Sequence, residues 1–291
     1  MKTVLVTGSE GQLAKHIFEE SREEKGLTFI FLEKRNLNIA NKERLEDFFN
    51  SKKIDILINC AAFTNVDGAE SAEERANEVN YLAVKYLSEF AEIHDFNFVH
   101  ISTDYVFDGK KRFPYHEKDK TNALGAYAKS KLKGEETILN SRCKSIILRT
   151  SWLYSSFGNN FVKKITSLAK ERESLKVVND QFGSPTSAQD FSKAIIHMIK
   201  SEAFHVASKK KEIFHFSNSE VCSWYDFAVE IVKALNLECV IEPCSSEEYK
   251  TEVERPPYSA LDNNKFSNNF DFKIDHWKIA LSNLLEKNLI R

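Results

Sequence analysis

Short apolar runs alternate with longer amphipathic stretches in the first half of the chain. The runs occupy residues 4–6, 29–32, 56–58, 98–101 and 146–148. They lack the strict alternation of a strand with one wet face, as is typical of parallel strands that helices cover on both sides. Crossovers between parallel strands are right-handed. The pattern therefore predicts the α/β class, with a Rossmann-type doubly wound parallel sheet over residues 1–150.

The second half of the chain has a looser rhythm. Helical patterns cover residues 160–171, 188–200, 224–235 and 276–285, and an irregular stretch contains Pro243, Pro256 and Pro257. Strand-like segments near 175–180 and 213–218 are candidates to return to the sheet. We expect residues 151–291 to form mainly a smaller C-terminal substrate-binding lobe, above the carboxyl ends of the strands.

The composition excludes several classes of protein. Of 291 residues, 42% are hydrophobic and 29% are charged, and the net charge is −2, which is ordinary for a globular chain and argues against nucleic-acid or membrane partners. Five cysteines form no CxxC pair, as expected for reduced thiols. The apolar run at the N-terminus is too short for a signal peptide. We expect a cytoplasmic protein that takes a small-molecule substrate.

A glycine turn follows the first apolar run and opens a helical stretch. Gly8 permits the tight turn, Gly11 lets backbone amides approach a pyrophosphate, and Ala14 stands where a third glycine is usual. The positive end of the helix favours an anion at this point. The spacing, so close to the N-terminus, predicts a dinucleotide site.

The second and third runs end in residues that suit the rest of a dinucleotide. Glu33 would bond a ribose 2′-hydroxyl and favour NAD, whereas Lys34 and Arg35 would hold a 2′-phosphate and favour NADP. The sequence leaves this choice open. The third run ends in the small residues of 60–62, on which a cofactor can lie directly, with Thr64 near its ribose or the substrate.

The strongest chemical signal is a tyrosine and a lysine four residues apart on a predicted helix. This spacing places Tyr127 and Lys131 on one face, where the ammonium is expected to draw the phenol pKa down toward neutrality. Ser102, Thr103 and Asp104 end the fourth run, so a hydroxyl there can bond the same substrate oxygen. The order of these motifs predicts reduction of a carbonyl, with Tyr127 as the proton donor.

These motifs resemble those of the extended short-chain dehydrogenases, and in particular those of the dTDP-4-dehydrorhamnose reductase family. The resemblance covers nearly the whole chain. It is carried by TGSEGQL, NCAAFTNVDGAE, STDYVFDG, YAKSKLKGE, LRTSWLY, NNFV, DQFGSPT, SWYDFA and RPPYSALD, which begin at residues 7, 59, 102, 127, 148, 159, 180, 223 and 255. The last several motifs are typical of this reductase family rather than of dehydrogenases in general.

The resemblance implies reduction of the 4-keto group of dTDP-4-dehydro-L-rhamnose to dTDP-L-rhamnose with NADPH or NADH. It implies that Thr103, Tyr127 and Lys131 are catalytic, that the last two also touch the cofactor, and that Asp104 and Trp152 lie beside the sugar nucleotide. The implied cofactor residues are Gly8, Gly11, Gln12, Leu13, Asn38, Ile39, Ala61, Ala62 and Thr64.

Two further roles follow from residue chemistry. Trp152 follows the fifth strand and would form an aromatic wall against the sugar. Arg255, before two prolines, would hold a diphosphate through a bidentate contact. Through Arg35 and Lys34 we expect a mild preference for NADPH, with both cofactors accepted.

The sequence also departs from the family pattern. Asn38 stands where an aspartate is usual, and Phe63 where a tyrosine is usual. Some relatives use magnesium held by glutamates at a dimer interface, but Lys15 and His16 occupy that part of the first helix here. We therefore expect no magnesium-bridged dimer, although a homodimer stays open. The histidines form no zinc-binding motif, and we expect no metal site.

Two alternatives to this reductase remain at the level of the sequence. One is a different nucleotide-sugar reductase or epimerase on the same scaffold. The other is a non-catalytic regulatory subunit that keeps the fold and the cofactor, and the intact Thr103, Tyr127 and Lys131 argue against it.

Overall fold

The computed structural model describes residues 1–286. The strands are β1 Lys2–Thr7, β2 Leu27–Leu32, β3 Ile56–Asn59, β4 Asn97–Thr103, β5 Ser145–Thr150, β6 Leu153–Tyr154, β7 Ser174–Val178, β8 Phe182–Gly183, β9 Thr186–Ser187, β10 Glu212–His215, β11 Cys222–Ser223 and β12 Val240–Cys244. The α-helices are α1 Gln12–Ser21, α2 Lys42–Ser51, α3 Gly68–Ser71, α4 Glu73–Asn77, α5 Ala83–Ile93, α6 Gly125–Asn140, α7 Phe161–Glu171, α8 Ala188–Lys200, α9 Glu202–Lys209, α10 Trp224–Ala234, α11 Asn264–Phe270 and α12 Trp277–Glu286.

A six-stranded sheet with the order β10-β5-β4-β3-β1-β2 forms the centre of the fold. Every neighbouring pair in it is parallel. The chain lays β2 on one side of β1 and β3 on the other, so the strand order reverses at β1, where ligands bind in open α/β sheets. The predicted Rossmann-type fold is confirmed.

Helices cover the sheet on both faces. Helices α1 and α8 bury one face, in a core that includes Val4, Ile17, Ile58 and Phe191. Helices α2, α5 and α6 bury the other, together with Leu5 and its neighbours. This arrangement explains the unbroken apolar runs of the sequence, because helices cover both faces of each central strand and exclude solvent.

The two strands predicted near 175–180 and 213–218 have different positions. Strand β10 pairs with β5 at the edge of the central sheet. Strand β7 does not return to it and pairs with β12 in a separate two-stranded sheet. The burial of β7 alternates, with Leu175 and Val177 buried and Ser174 and Lys176 exposed, so it has one wet face and is unsuited to a sheet covered on both sides.

The C-terminal half divides between two cores. Helices α7, α10 and α12 pack with β7 and β12 around Phe227 and Trp277 to form a second core. Within residues 151–291, helix α8 packs against the central sheet and β10 pairs with β5 at its edge. No helix within residues 1–286 is long and apolar enough to cross a membrane.

A buried ion pair fixes α6 against β5. The Arg149 guanidinium donates to Glu135 with its closest contact at 2.6 Å, and both side chains are almost fully buried. Removing either partner would leave the other charge unpaired in the interior. Because α6 also carries Tyr127 and Lys131, this contact helps to hold both residues toward the sheet.

Candidate active site

A cavity of about 750 Å³ opens at the carboxyl ends of β1, β3, β4 and β5. It brings together the glycine turn and the tyrosine–lysine pair, which are more than 110 residues apart in sequence. The predicted site residues that line it are Gly8, Gly11, Gln12, Leu13, Asn38, Ile39, Ala61, Ala62, Thr64, Thr103, Asp104, Tyr127, Lys131 and Trp152. Their individual roles stay predictions.

The glycine turn is shaped by the close approach of two backbones. Gly8 has φ +67°, and a Cβ there would lie 2.7 Å from the backbone of Ala61, so any side chain at this position would be strained and would clash. The Gly11 amide donates to the Gly8 carbonyl at 2.9 Å. Within residues 1–286 no side chain caps the start of α1, and uncapped amides at a helix N-terminus suit an anion.

Gln12 links the cofactor side of the cavity to the C-terminal half. Its Oε1 accepts hydrogen bonds from Ser155 at 3.0 Å and from Asn160 at 2.9 Å. Asn160 also caps α7 by accepting from the Lys163 amide. The first turn of α1 is therefore coupled to the start of α7.

The loop after β3 is held by a buried asparagine. Asn80 lies in a π-helical turn, Glu78–Leu82, and its side chain bonds both the amide and the carbonyl of Phe63, at 2.9 and 3.0 Å. It also donates to the Ser130 hydroxyl of α6 at 3.0 Å. A π-turn of this kind is often found at functional sites, but no pattern in the sequence indicated it.

Tyr127 reaches the cavity from α6, beside Thr103 at the end of β4. Burial raises the pKa of Tyr127, and hydrogen bonding with Thr103 offsets only part of that effect. This direction is opposite to the lowering by Lys131 that the sequence predicted, because loss of solvent disfavours the charged phenolate. The phenol is protonated at neutral pH, which is the form that a proton donor needs.

Lys131 is buried behind Tyr127. Its Nζ donates to the Ile101 carbonyl at 2.7 Å and lies 3.2 Å from His100 Nε2. Burial lowers the pKa of Lys131 to about 8, although Glu135 and Cys60 act in the opposite direction. The lysine is therefore charged at neutral pH, but can give up its proton within a physiological range.

Asp104 adds a buried carboxylate with a raised pKa to the cavity. Its Oδ1 accepts from the Thr103 hydroxyl at 3.0 Å, and among residues 1–286 no hydrogen bond of good geometry reaches its buried Oδ2. Burial raises the pKa of Asp104 to about 6, with bonds from Ser259 and Thr103 partly offsetting it. A buried oxygen without a partner is costly, and a ligand hydroxyl in the cavity would satisfy it.

Trp152 forms an aromatic wall of the cavity in a strained conformation. Its φ is +47°, a left-handed value that is rare for residues other than glycine. Its indole stacks on that of Trp224, with the ring centroids 3.5 Å apart and the planes 8° apart. A Cβ at Gly183 would lie 2.6 Å from the Trp152 ring, so the ring is held on two sides.

Two of the predicted site residues lie outside the cavity lining. The Arg35 side chain is 81% exposed and pairs with Glu33, whereas the adjacent Lys34 does line the cavity. Arg255 donates to both carboxylate oxygens of Asp67 at 2.7 Å. It lies in a second groove, of about 270 Å³, that is lined mostly by apolar side chains of α7, β7 and Trp224.

The cavity also contains residues that the sequence did not identify as site residues. Arg75 lies on a helix rich in charges, where nothing distinguishes it from a solvated surface residue. Gly158 precedes the NNFV motif, Asn159 is its first residue, and Ser102 lies in the strand end from which Thr103 and Asp104 were predicted as site residues. The remaining additions are Glu10, Ala14, Leu37, Cys60, Phe63, Val79, Ile101, Thr150, Ser151 and Leu153.

No cluster of three or more potential metal ligands from His, Cys, Asp and Glu occurs in the described part of the chain. Lys15 and His16 of the first helix, where an acidic ligand was considered, both lie against the Phe157 ring. His16 is buried and lies 3.1 Å from Glu19.

Comparison with known proteins places the chain in a family. Residues 1–290 match the family model described as the RmlD substrate binding domain. The dTDP-4-dehydrorhamnose reductase of Aggregatibacter actinomycetemcomitans is 38% identical over 290 residues, with 98% of each chain covered. The spore coat polysaccharide biosynthesis protein SpsK of Bacillus subtilis strain 168 is 37% identical over 287 residues, covering 99% of this chain and 98% of that protein.

A solved structure agrees with these relatives. The dTDP-4-dehydrorhamnose reductase of Bacillus anthracis strain Ames, in complex with NADP, has a TM-score of 0.91 and 33% identity. It covers 99% of this chain and 100% of its own. The chain therefore belongs to the dTDP-4-dehydrorhamnose reductase family.

Proposed function

We propose that the protein reduces the 4-keto group of dTDP-4-dehydro-L-rhamnose, giving dTDP-L-rhamnose, with NADPH or NADH as the reductant. The observation that carries this proposal is the convergence of Thr103, Tyr127 and Lys131 on the same cavity as the glycine turn. The identity of the substrate is inferred from the relatives that are named dTDP-4-dehydrorhamnose reductase. A nicotinamide cofactor supplies the hydride when it is bound, and the protein's share is binding, orientation and protonation.

The residues present fit a dinucleotide. The bare amides at the start of α1 suit a pyrophosphate, and the close packing of Gly8 on Ala61 leaves a surface with no side chain in the way. Lys131 lines the same cavity, and we expect its ammonium to donate to ribose hydroxyls. The NADP complex of the Bacillus anthracis relative supports this placement.

Protonation falls to Tyr127. Its neutral phenol donates a proton to the carbonyl oxygen as the carbon is reduced, and the Thr103 hydroxyl bonds the same oxygen and orients it. Lys131 then restores the phenol proton, which its lowered pKa permits near neutral pH. The buried Asp104 Oδ2 accepts from a sugar hydroxyl, and Trp152 packs against the sugar ring.

The rest of a nucleotide sugar would extend toward the second groove. Arg255 breaks its ion pair with Asp67 to bind the diphosphate. The exchange is possible because a carboxylate and a diphosphate each offer two oxygens to one guanidinium. The groove beyond it is apolar and is bordered by Lys164 and Lys176, which suits a planar base carried on an anionic linker. Arg255 can therefore bind the diphosphate only if it releases Asp67, its ion-pair partner in the structure.

The cofactor preference depends on the charges after β2. Because Lys34 lines the cavity and Arg35 is exposed beside it, replacing either with alanine should raise the KM for NADPH more than that for NADH. We expect a change of at most about fivefold, since exposed ion pairs contribute roughly 0.2–1 kcal/mol. Steady-state kinetics with both cofactors measure this. Equal effects on the two cofactors would remove both residues from the 2′-phosphate.

Chelation should have no effect on the protein. We expect EDTA treatment to leave both the turnover rate and the state of association unchanged, because Lys15 and His16 occupy the helix position where relatives with a bridging metal carry an acid. Activity assays and size-exclusion chromatography before and after chelation test this. A loss that added magnesium restores would show that other carboxylates form a site.

The proposed substrate is tested against close alternatives in one assay. Oxidation of NADPH and NADH is followed with a panel of nucleotide 4-keto-6-deoxysugars that differ in sugar and base. We expect the dTDP-4-dehydro-L-rhamnose reaction to have the highest kcat/KM. A different preferred sugar would support another nucleotide-sugar reductase, and cofactor binding without turnover of any sugar would support the regulatory subunit.

A further inference from the structure

A row of three polar side chains crosses the interior of the central sheet behind Lys131. Thr7, Asn59 and His100 are direct register partners on the neighbouring strands β1, β3 and β4. Each is at most 1% exposed. Burying polar groups is unfavourable unless each one is hydrogen-bonded, so three of them side by side in the interior of the sheet require a reason.

The row forms one hydrogen-bonded chain that ends at the lysine. The Asn59 side-chain amide lies 2.6 Å from Thr7 Oγ1 on one side and 3.2 Å from His100 Nδ1 on the other. His100 Nε2 lies 3.2 Å from Lys131 Nζ. Both ring nitrogens are therefore engaged, and the ring contacts the catalytic lysine directly.

Donor and acceptor capacity decides which hydrogen positions suit a charged lysine. An ammonium only donates, so His100 Nε2 must be unprotonated to receive it, and the neutral ring then carries its proton on Nδ1. That proton needs an acceptor. In the structure the Asn59 amide nitrogen faces His100 Nδ1. This contact requires the ring proton on Nε2, where it would point at the hydrogens of the ammonium.

A half-turn of the Asn59 amide removes this conflict. It exchanges the amide oxygen and nitrogen and leaves every other heavy atom in place. The oxygen then accepts from His100 Nδ1, and the nitrogen donates to the Thr7 hydroxyl, which can accept as well as donate. The contacts of His100 with Asn59 and with Lys131 then both suit a charged lysine.

We propose that His100 is a positioning residue for Lys131, held as its Nδ1–H tautomer by Asn59, so that Nε2 and the Ile101 carbonyl accept two lysine hydrogens and the third is directed into the cavity. The lysine then exchanges its proton only toward Tyr127 and the cofactor ribose. This inference rests on the proposed function for the role of Lys131, but the tautomer itself does not.

The other groups that face Lys131 do not supply this acceptor. Cys60 directly follows β3, and Tyr127 and Glu135 lie one turn before and one turn after the lysine on α6. The Glu135 carboxylate is already paired with Arg149 of β5. Burial holds the pKa of His100 well below its usual range, so the ring is neutral at any pH where the enzyme would work. A neutral ring can accept, whereas an imidazolium would repel the ammonium.

The tautomer can be observed without any substrate. Long-range ¹H–¹⁵N correlation spectra of the whole protein labelled with ¹⁵N-histidine, recorded at pH 7 and assigned with a His100→Gln variant, distinguish the two neutral forms. We expect the Nδ1–H form for His100. Observation of the Nε2–H form or of an imidazolium at this pH would overturn the proposal, whatever the enzyme reduces.

Variants test the consequence for the lysine. In His100→Leu, the ammonium loses a buried acceptor, so the charged form is less stable and the Lys131 pKa falls by about one to two units. The alkaline limb of the kcat–pH profile should move to lower pH by that amount. His100→Gln offers an amide oxygen as acceptor and should restore the limb to within a few tenths of a unit.

A matched control separates positioning from stability. His215 is also fully buried in the same sheet, where it contacts Arg149 and the Tyr115 carbonyl outside the cavity. His215→Leu should lower thermal stability with no shift of the limb. An unshifted limb in His100→Leu, or equal shifts in the two leucine variants, would contradict the proposal. Absence of turnover in the unmodified protein would instead count against the proposed function.

Discussion

Replacing Tyr127 with phenylalanine should lower turnover by roughly 10²–10⁴-fold, the usual contribution of a general acid. The change removes only the phenol oxygen, and the ring still fills its buried place beside Tyr105. Cofactor affinity should stay within a few-fold of the original, since the pyrophosphate surface at Gly8 and Gly11 lies on the other side of the cavity. Steady-state kinetics and a cofactor titration measure the two effects separately.

Tyr154 provides the control for this substitution. It is 1% exposed, its hydroxyl has no hydrogen-bond partner within residues 1–286, and it does not line the cavity. Tyr154→Phe makes the same chemical change at another buried phenol and should leave turnover unaltered. Near-normal turnover in Tyr127→Phe would show that another group protonates the carbonyl.

Replacing Lys131 with methionine should weaken both turnover and cofactor binding. The side chain is buried, and its ammonium is expected to bond the ribose as well as to return a proton to Tyr127. We expect turnover to fall by roughly 10²-fold or more and cofactor affinity by about tenfold, the scale of one hydrogen bond to a charged group. The exposed Lys129 on the same helix serves as control, and Lys129→Met should have neither effect.

The same lysine sets a pH dependence for the unmodified enzyme. Burial lowers the Lys131 pKa to about 8, so the charged form is present below this value and is lost as the pH rises through it. Turnover should therefore decline above about pH 8, and this alkaline limb should be missing from Lys131→Met. A limb that persists in the variant would belong to a different group.

Hydrophobic pattern was sufficient to predict the central sheet because strands buried on both faces leave unbroken apolar runs. It was insufficient for β7, whose Leu175 and Val177 alternate with exposed residues and pair with β12 instead of with the central sheet. The position of α8 against the central sheet was not predicted either. The sequence of α8 is amphipathic and would suit packing in either half of the protein. Only the three-dimensional structure shows that Phe191 of this helix packs in the core of the central sheet.

The site was predictable where a motif gathers several groups at fixed spacing, as at Gly8 and Tyr127. It was not predictable where the effect depends on burial. The direction of the Tyr127 pKa shift was wrong, because spacing identifies the nearby lysine but not the loss of solvent around the phenol. Asn80 and His100 gave no signal, since a single polar residue in an apolar run is usually a satisfied core residue.

Deuterium transfer gives the most direct test of the proposed reduction. The protein would be incubated with dTDP-4-dehydro-L-rhamnose and NADPH carrying deuterium at the transferable position of nicotinamide C4, and the product examined by NMR and mass spectrometry. The account predicts dTDP-L-rhamnose with one deuterium at sugar C4, formed by the unmodified protein and at least about 10²-fold more slowly by Tyr127→Phe. Unlabelled product, or bound cofactor with no transfer to the sugar, would contradict it.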